Sequence, residues 1–106
     1  MVKRTINKDI TDSVNKFVKE IKKKYNVTAI ILFGSYAKGT ENEDSDIDIA
    51  VISNDFEDIY DCMAVLMGMT CDIDARIEPH PITVEDYENV SNPFVKEVID
   101  TGIKVA

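Results

Sequence analysis

A chain of 106 residues, 44% hydrophobic and 30% charged, has the size and balance of one soluble globular domain and is too apolar to be disordered throughout. Folding a chain of this length buries roughly two thirds of its unfolded surface, enough for one core, so a single domain over residues 1–106 is expected. The formal net charge of −8 disfavours a broad, non-specific grip on DNA or RNA.

Taken in order, residues 8–25 place Ile10, Val14, Phe17, Val18, Ile21 and Tyr25 at helical spacing, with Lys22, Lys23 and Lys24 in the last turn as a solvated end. Val27–Phe33 is short, apolar and β-branched, and reads as a buried strand. Gly34 stops it. A turn and one helical turn follow over 35–39, then a polar loop over 40–45. Ile47–Ile52 is a second buried strand. Asp55–Met69 is amphipathic, and its methionines read as core filler.

Cys71–Ile77 alternates, which predicts a third strand with Asp72, Asp74, Arg76 and Glu78 facing outward. Pro79 and Pro81 then read as chain breakers, with His80 a loop histidine between them. Short helices are expected over 83–89 and after Pro93, and an edge strand at Ile103–Val105. The alternation predicts an α/β or α+β layer fold, a small mixed sheet with helices packed on it.

Cys62 and Cys71 form neither a CxxC pair nor a zinc-like set, so both are expected to be reduced, buried and structural, as in the cytosol. No apolar run approaches the 18 or so residues of a membrane span. The start MVKRTINKDI lacks the apolar stretch of an export signal. A cytoplasmic protein without membrane contact is expected. A homo-oligomer is left open.

The informative stretch is FGSYAKGTENEDSDIDIAV, residues 33–51. Gly34–Ser35 leaves a buried strand, where glycine tolerates positive φ and lets a ligand approach the backbone. Asp46 and Asp48 are spaced i, i+2, so on a strand they share a face about 6.6 Å apart and converge on a cation. Two such like charges are costly without one. A third acid from a neighbouring strand would complete a hard oxygen site suited to Mg²⁺ or Mn²⁺, and Asp72 and Asp74 both qualify by parity. No GxxxxGK[ST] and no GxSxG occurs, which excludes a P-loop and a nucleophile elbow.

GSYAKG followed, ten residues after Ser35, by DSDIDIAV resembles the nucleotidyltransferase superfamily of DNA polymerase β and kanamycin nucleotidyltransferase. The small size and the run IDARIEPHPIT…NPFVKEVIDTGIKVA resemble its minimal, stand-alone branch, over residues 27–106. The resemblance implies the nucleotidyltransferase fold, with Gly34 and Ser35 at the triphosphate and Asp46 and Asp48 on Mg²⁺. It implies Asp74 as the third acid ahead of Asp72, and a phosphate contact for Lys38, where many members carry Arg. It further implies transfer of a nucleoside monophosphate from an NTP, ATP first, to a hydroxyl. Minimal members resemble the antitoxin half of toxin–antitoxin pairs beside a small helical HEPN-type ribonuclease, and some transfer AMP to a tyrosine of that partner. A protein acceptor is therefore expected, or else a binding module or nucleotide sensor that works without transfer. Tyr36 is expected either on the partner surface or packed against the first helix.

Overall fold

Asn7 starts the first helix by accepting the Asp9 amide, 2.9 Å away, on its side-chain oxygen. This is a computed structural model, and it describes residues 7–42, 44–90 and 92–106. Most of the N-terminal stretch read for export signals, and Glu43 of the polar loop, lie outside the described residues. Helix α1 spans Lys8–Lys24 and buries Ile10, Val14, Phe17 and Ile21 along one stripe. Strand β1 is Val27–Phe33, the single turn α2 is Ser35–Lys38, and strand β2 is Ile47–Ser53.

Helix α3 runs over Ile59–Ile73 and strand β3 over Ile77–Thr83, which corrects the expected boundaries by several residues. The helix starts late because Asp58 caps it, its carboxylate accepting the amides of Tyr60 and Asp61. It ends late because Cys62, Leu66, Met69 and Ile73 keep a helical stripe on the core. The alternation of Cys71–Ile77 is overridden by that burial, and Cys71, expected to be buried, is exposed on α3 while Cys62 is buried. Pro79 and Pro81 sit inside β3 rather than ending it. The strand lies at the sheet edge, paired only with β2, so the missing proline N–H groups fall on the unpaired side.

Helix α4 covers Val84–Asn89, with Thr83 accepting the Asp86 amide as its cap. Helix α5 covers Pro93–Thr101, and β4 is Ile103–Lys104. The sheet order is β3-β2-β1-β4. Strand β1 pairs antiparallel with β2 and β4, and β2 pairs parallel with β3 through the crossover α3.

The fold is thus a mixed sheet with helices on both faces. Helices α1 and α3 cover one face, over Ile30, Leu32, Ile47, Ile49, Val51 and Ile77. Helices α4 and α5 close the other, over Ala29, Ile31, Ala50, Ile52 and Ile82. Each fully buried branched side chain contributes about 1.5–3 kcal/mol of transfer free energy. Among the described residues, no helix is long and apolar enough to cross a membrane.

Candidate active site

The sheet brings three chain segments together at one end: the exit of β1, the entry of β2 and the entry of β3. Asp48 is the pivot. It lies opposite Phe33 on β1 and in parallel register with Glu78 on β3. It shares a strand face with Ala50 and Ile52, so it points to the α5 side of the sheet, where the apolar layer stops. Asp46 precedes β2 and is exposed.

Gly34 has φ 74° and ψ −152°, a conformation that only glycine adopts without strain. A Cβ there would collide with the Asp48 carboxylate. The absence of a side chain at residue 34 therefore keeps both the turn and the acid in place. The Gly34 carbonyl accepts the amides of Ala37 and Lys38, which winds the short α2. Lys38, in its last turn, meets Glu97 of α5 at 2.6 Å, with both side chains about half exposed.

Glu78 and His80 complete the cluster. Among the described residues, Asp48, Glu78 and His80 present one ligand atom each, all within 4.8 Å of one another. His80 Nε2 lies 3.3 Å from Asp48 Oδ1 and 3.7 Å from Glu78 Oε1. Burial pushes the Glu78 carboxyl above its ordinary range. A hydrogen bond with Asp46 adds to this, as does the nearby Asp48 charge, while His80 opposes it. The donor chemistry fits a divalent cation: carboxylates on adjacent strands, with an imidazole beside them.

Asp74, expected on the third strand, is instead the C-cap of α3. Its Oδ1 accepts from the Arg76 amide and Nε at 3.0 Å, and its Oδ2 accepts from Arg76 Nη2 and from Ser13 Oγ of α1 at 2.7 Å. Arg76 also reaches Asp9 of α1 at 2.8 Å. The Arg76 hydrogen bonds hold the Asp74 carboxyl well below the usual carboxylate range. Asp72 lies on α3 beside Lys16 and Lys19 of α1, in the groove between the two helices. Neither acid lies on the strand whose parity had selected it. Tyr36 is buried in the layer that packs on α1, which decides between its two expected places in favour of packing.

The sequence did carry a signal for the missed pair. Glu78 and His80 are spaced i, i+2, like Asp46 and Asp48, but the flanking prolines hid the strand. Asp74 follows a different logic, and its replacement has a defined signature. Its lowered pKa means that its stabilisation is present above pH 4 or so, the ordinary aspartate range, and fades as pH falls further. Asp74→Asn is expected to lower stability at neutral pH by about 1–3 kcal/mol, to flatten the acid limb of stability and to leave metal binding unchanged. Urea unfolding across pH, with calorimetric metal titration, checks all three.

Comparison with known proteins bears on the family and the fold. Residues 15–106 match the family model described as "Polymerase beta, Nucleotidyltransferase". A Methanocaldococcus jannaschii protein named "Putative protein adenylyltransferase" is 40% identical over 94 residues, 85% of this chain and 91% of that one. A solved toxin–antitoxin with AMP-PNP superposes with a TM-score of 0.68 at 26% identity, covering 87% of this chain and 71% of that one. A mutant of the toxin–antitoxin MntA-HpeT superposes at 0.62 with 25% identity, covering 96% and 73%.

Proposed function

Because the chain belongs to the polymerase β nucleotidyltransferase family, we propose that it transfers AMP from ATP to a hydroxyl of a partner protein, with Asp46, Asp48 and Glu78 around Mg²⁺ or Mn²⁺. The observation that carries this reading is the in-register meeting of Asp48 and Glu78 beside the Gly34 turn. The adenylyltransferase name of a relative that matches most of the chain supports AMP and a protein acceptor. The toxin–antitoxin neighbour with AMP-PNP supports ATP and a protein partner. The HEPN type of that partner, small and helical, follows from the resemblance to the minimal branch of the family. The activity is intracellular and the whole chain acts as one catalytic unit.

A divalent ion at these carboxylates supplies charge neutralisation and polarises the phosphate under attack. The protein's own groups do the rest. Gly34 leaves room for phosphate oxygens at the backbone, and the Ser35 hydroxyl donates to one of them. Lys38 exchanges Glu97 for a phosphate. The acceptor O–H gives its proton to Glu78, the carboxylate that stands in register with Asp48 beside the reacting phosphate. The acceptor oxygen then bonds to the α-phosphorus, the bond to the pyrophosphate oxygen breaks, and pyrophosphate leaves.

Incubation with α-labelled ATP, Mg²⁺ and a helical protein encoded beside this one tests the reading, with label expected on the partner. Glu78→Gln is expected to cut labelling by about 10–100-fold, and Asp74→Asn to leave it intact. Label that survives Glu78→Gln and vanishes in Asp74→Asn would return the third-acid role to Asp74. The absence of label from every partner and small hydroxyl compound would overturn transfer altogether. A second reading, a module that binds and silences its partner without transfer, is favoured by the toxin–antitoxin assemblies among its structural neighbours. It predicts full silencing by an Asp46→Asn, Asp48→Asn double variant.

A further inference from the structure

We propose that His80 is a direct nitrogen ligand of the cation in this site, and that it biases the site toward first-row transition ions, Mn²⁺ foremost, over Mg²⁺. The inference rests on the placement of the divalent ion at Asp48 and Glu78 given above, and adds an imidazole to it. Three observations support it.

The first is distance. His80 Nε2 stands 3.3 Å from Asp48 Oδ1 and 3.7 Å from Glu78 Oε1. Both exceed the usual 2.7–3.2 Å of a hydrogen bond to nitrogen. Adjacent ligands of an octahedral ion with bonds of about 2.1 Å lie about 3.0 Å apart. A small inward movement of three side chains therefore places all three atoms on one ion.

The second is ring orientation. The imidazole packs against Phe33, 5.1 Å away in an edge contact, and against Phe94, at 5.4 Å. Phe33 and Phe94 also touch each other at 5.5 Å. These neighbours restrict the ring while its Nε2 faces the carboxylates. A ligand whose orientation is already restricted loses less entropy on binding.

The third is strand position. His80 follows Glu78 by two residues on β3, so both side chains leave the same face of the strand. Strand β3 thus offers an oxygen and a nitrogen to the site, where β2 offers the Asp48 oxygen. Imidazole is a good ligand for first-row transition ions, whereas Mg²⁺ is satisfied by oxygen and water in near-ideal octahedral geometry.

The chain contains one histidine, so any imidazole nitrogen on a bound ion is that of His80. Pulsed electron paramagnetic resonance of the untagged protein with Mn²⁺ is expected to show nitrogen coupling to the ion. The coupling should vanish in His80→Gln. In calorimetric titrations the same variant should lose about tenfold in Mn²⁺ affinity and change little toward Mg²⁺. Mn²⁺ bound without nitrogen coupling in the unaltered protein would overturn the inference, whatever the variant's stability. Unchanged Mn²⁺ affinity in a folded His80→Gln would do the same. Asp48→Asn separates the two levels of reading. If it removes Mn²⁺ binding while nitrogen coupling is absent from the unaltered protein, the ion site stands and only the His80 role fails. If it leaves binding intact, the site itself is misplaced and both readings fail.

Discussion

Asp48→Asn is expected to weaken Mg²⁺-dependent ATP binding by at least 100-fold or so while leaving the protein folded. Among the described residues, Asp48 is the acid that meets every wall of the site: it faces Glu78 in register, His80 at 3.3 Å and the open Gly34 turn. The amide keeps the shape of the side chain and its place on β2, but it removes the negative charge that draws the cation between the strands. The Asp48 charge also helps push the Glu78 carboxyl upward. Its removal relieves like-charge repulsion, so thermal stability without metal should be unchanged or slightly higher. Calorimetry with Mg²⁺ and ATP, paired with thermal unfolding, reads both effects. Wild-type nucleotide affinity in Asp48→Asn would remove the metal site from these residues.

Gly34→Val should be as severe for binding, and for a different reason. At φ 74° and ψ −152° a side chain is strained by about 1–3 kcal/mol. Its Cβ would also occupy the position of the Asp48 carboxylate. The variant must either reshape the turn or turn Asp48 away, and each disrupts the site. Lowered stability with loss of nucleotide binding is therefore expected. Gly102 provides the control. A Cβ there would strike Ile31 and the Val98 carbonyl, at the end of α5 and against the core. Gly102→Ala should lower stability and leave the affinity of the folded fraction intact. Normal ATP binding by Gly34→Val would make the turn purely structural.

Local signals in the sequence determined a good part of this protein. The helical stripe of α1 and the two buried strands around Gly34 follow from spacing and apolar content, because burial on one or both faces leaves a direct imprint on residue order. The caps at Asn7, Thr83 and Asn92 are equally local, since each cap residue accepts an amide two or three residues along the chain.

What the tertiary structure decided is where the third strand lies and which acids it carries. Cys71–Ile77 satisfies a strand period, yet its first residues extend α3 because Ile73 continues a stripe that only the packed core selects. Residues 77–83 carry two prolines that oppose a strand in isolation, and they form one because the sheet edge leaves a side where no N–H is needed. That choice of register leaves Asp74 at a helix cap and brings Glu78 and His80 beside Asp48. Edge position and register depend on contacts between segments about thirty residues apart. Such contacts leave no periodic trace within either segment, so the third strand became legible only once the chain was folded.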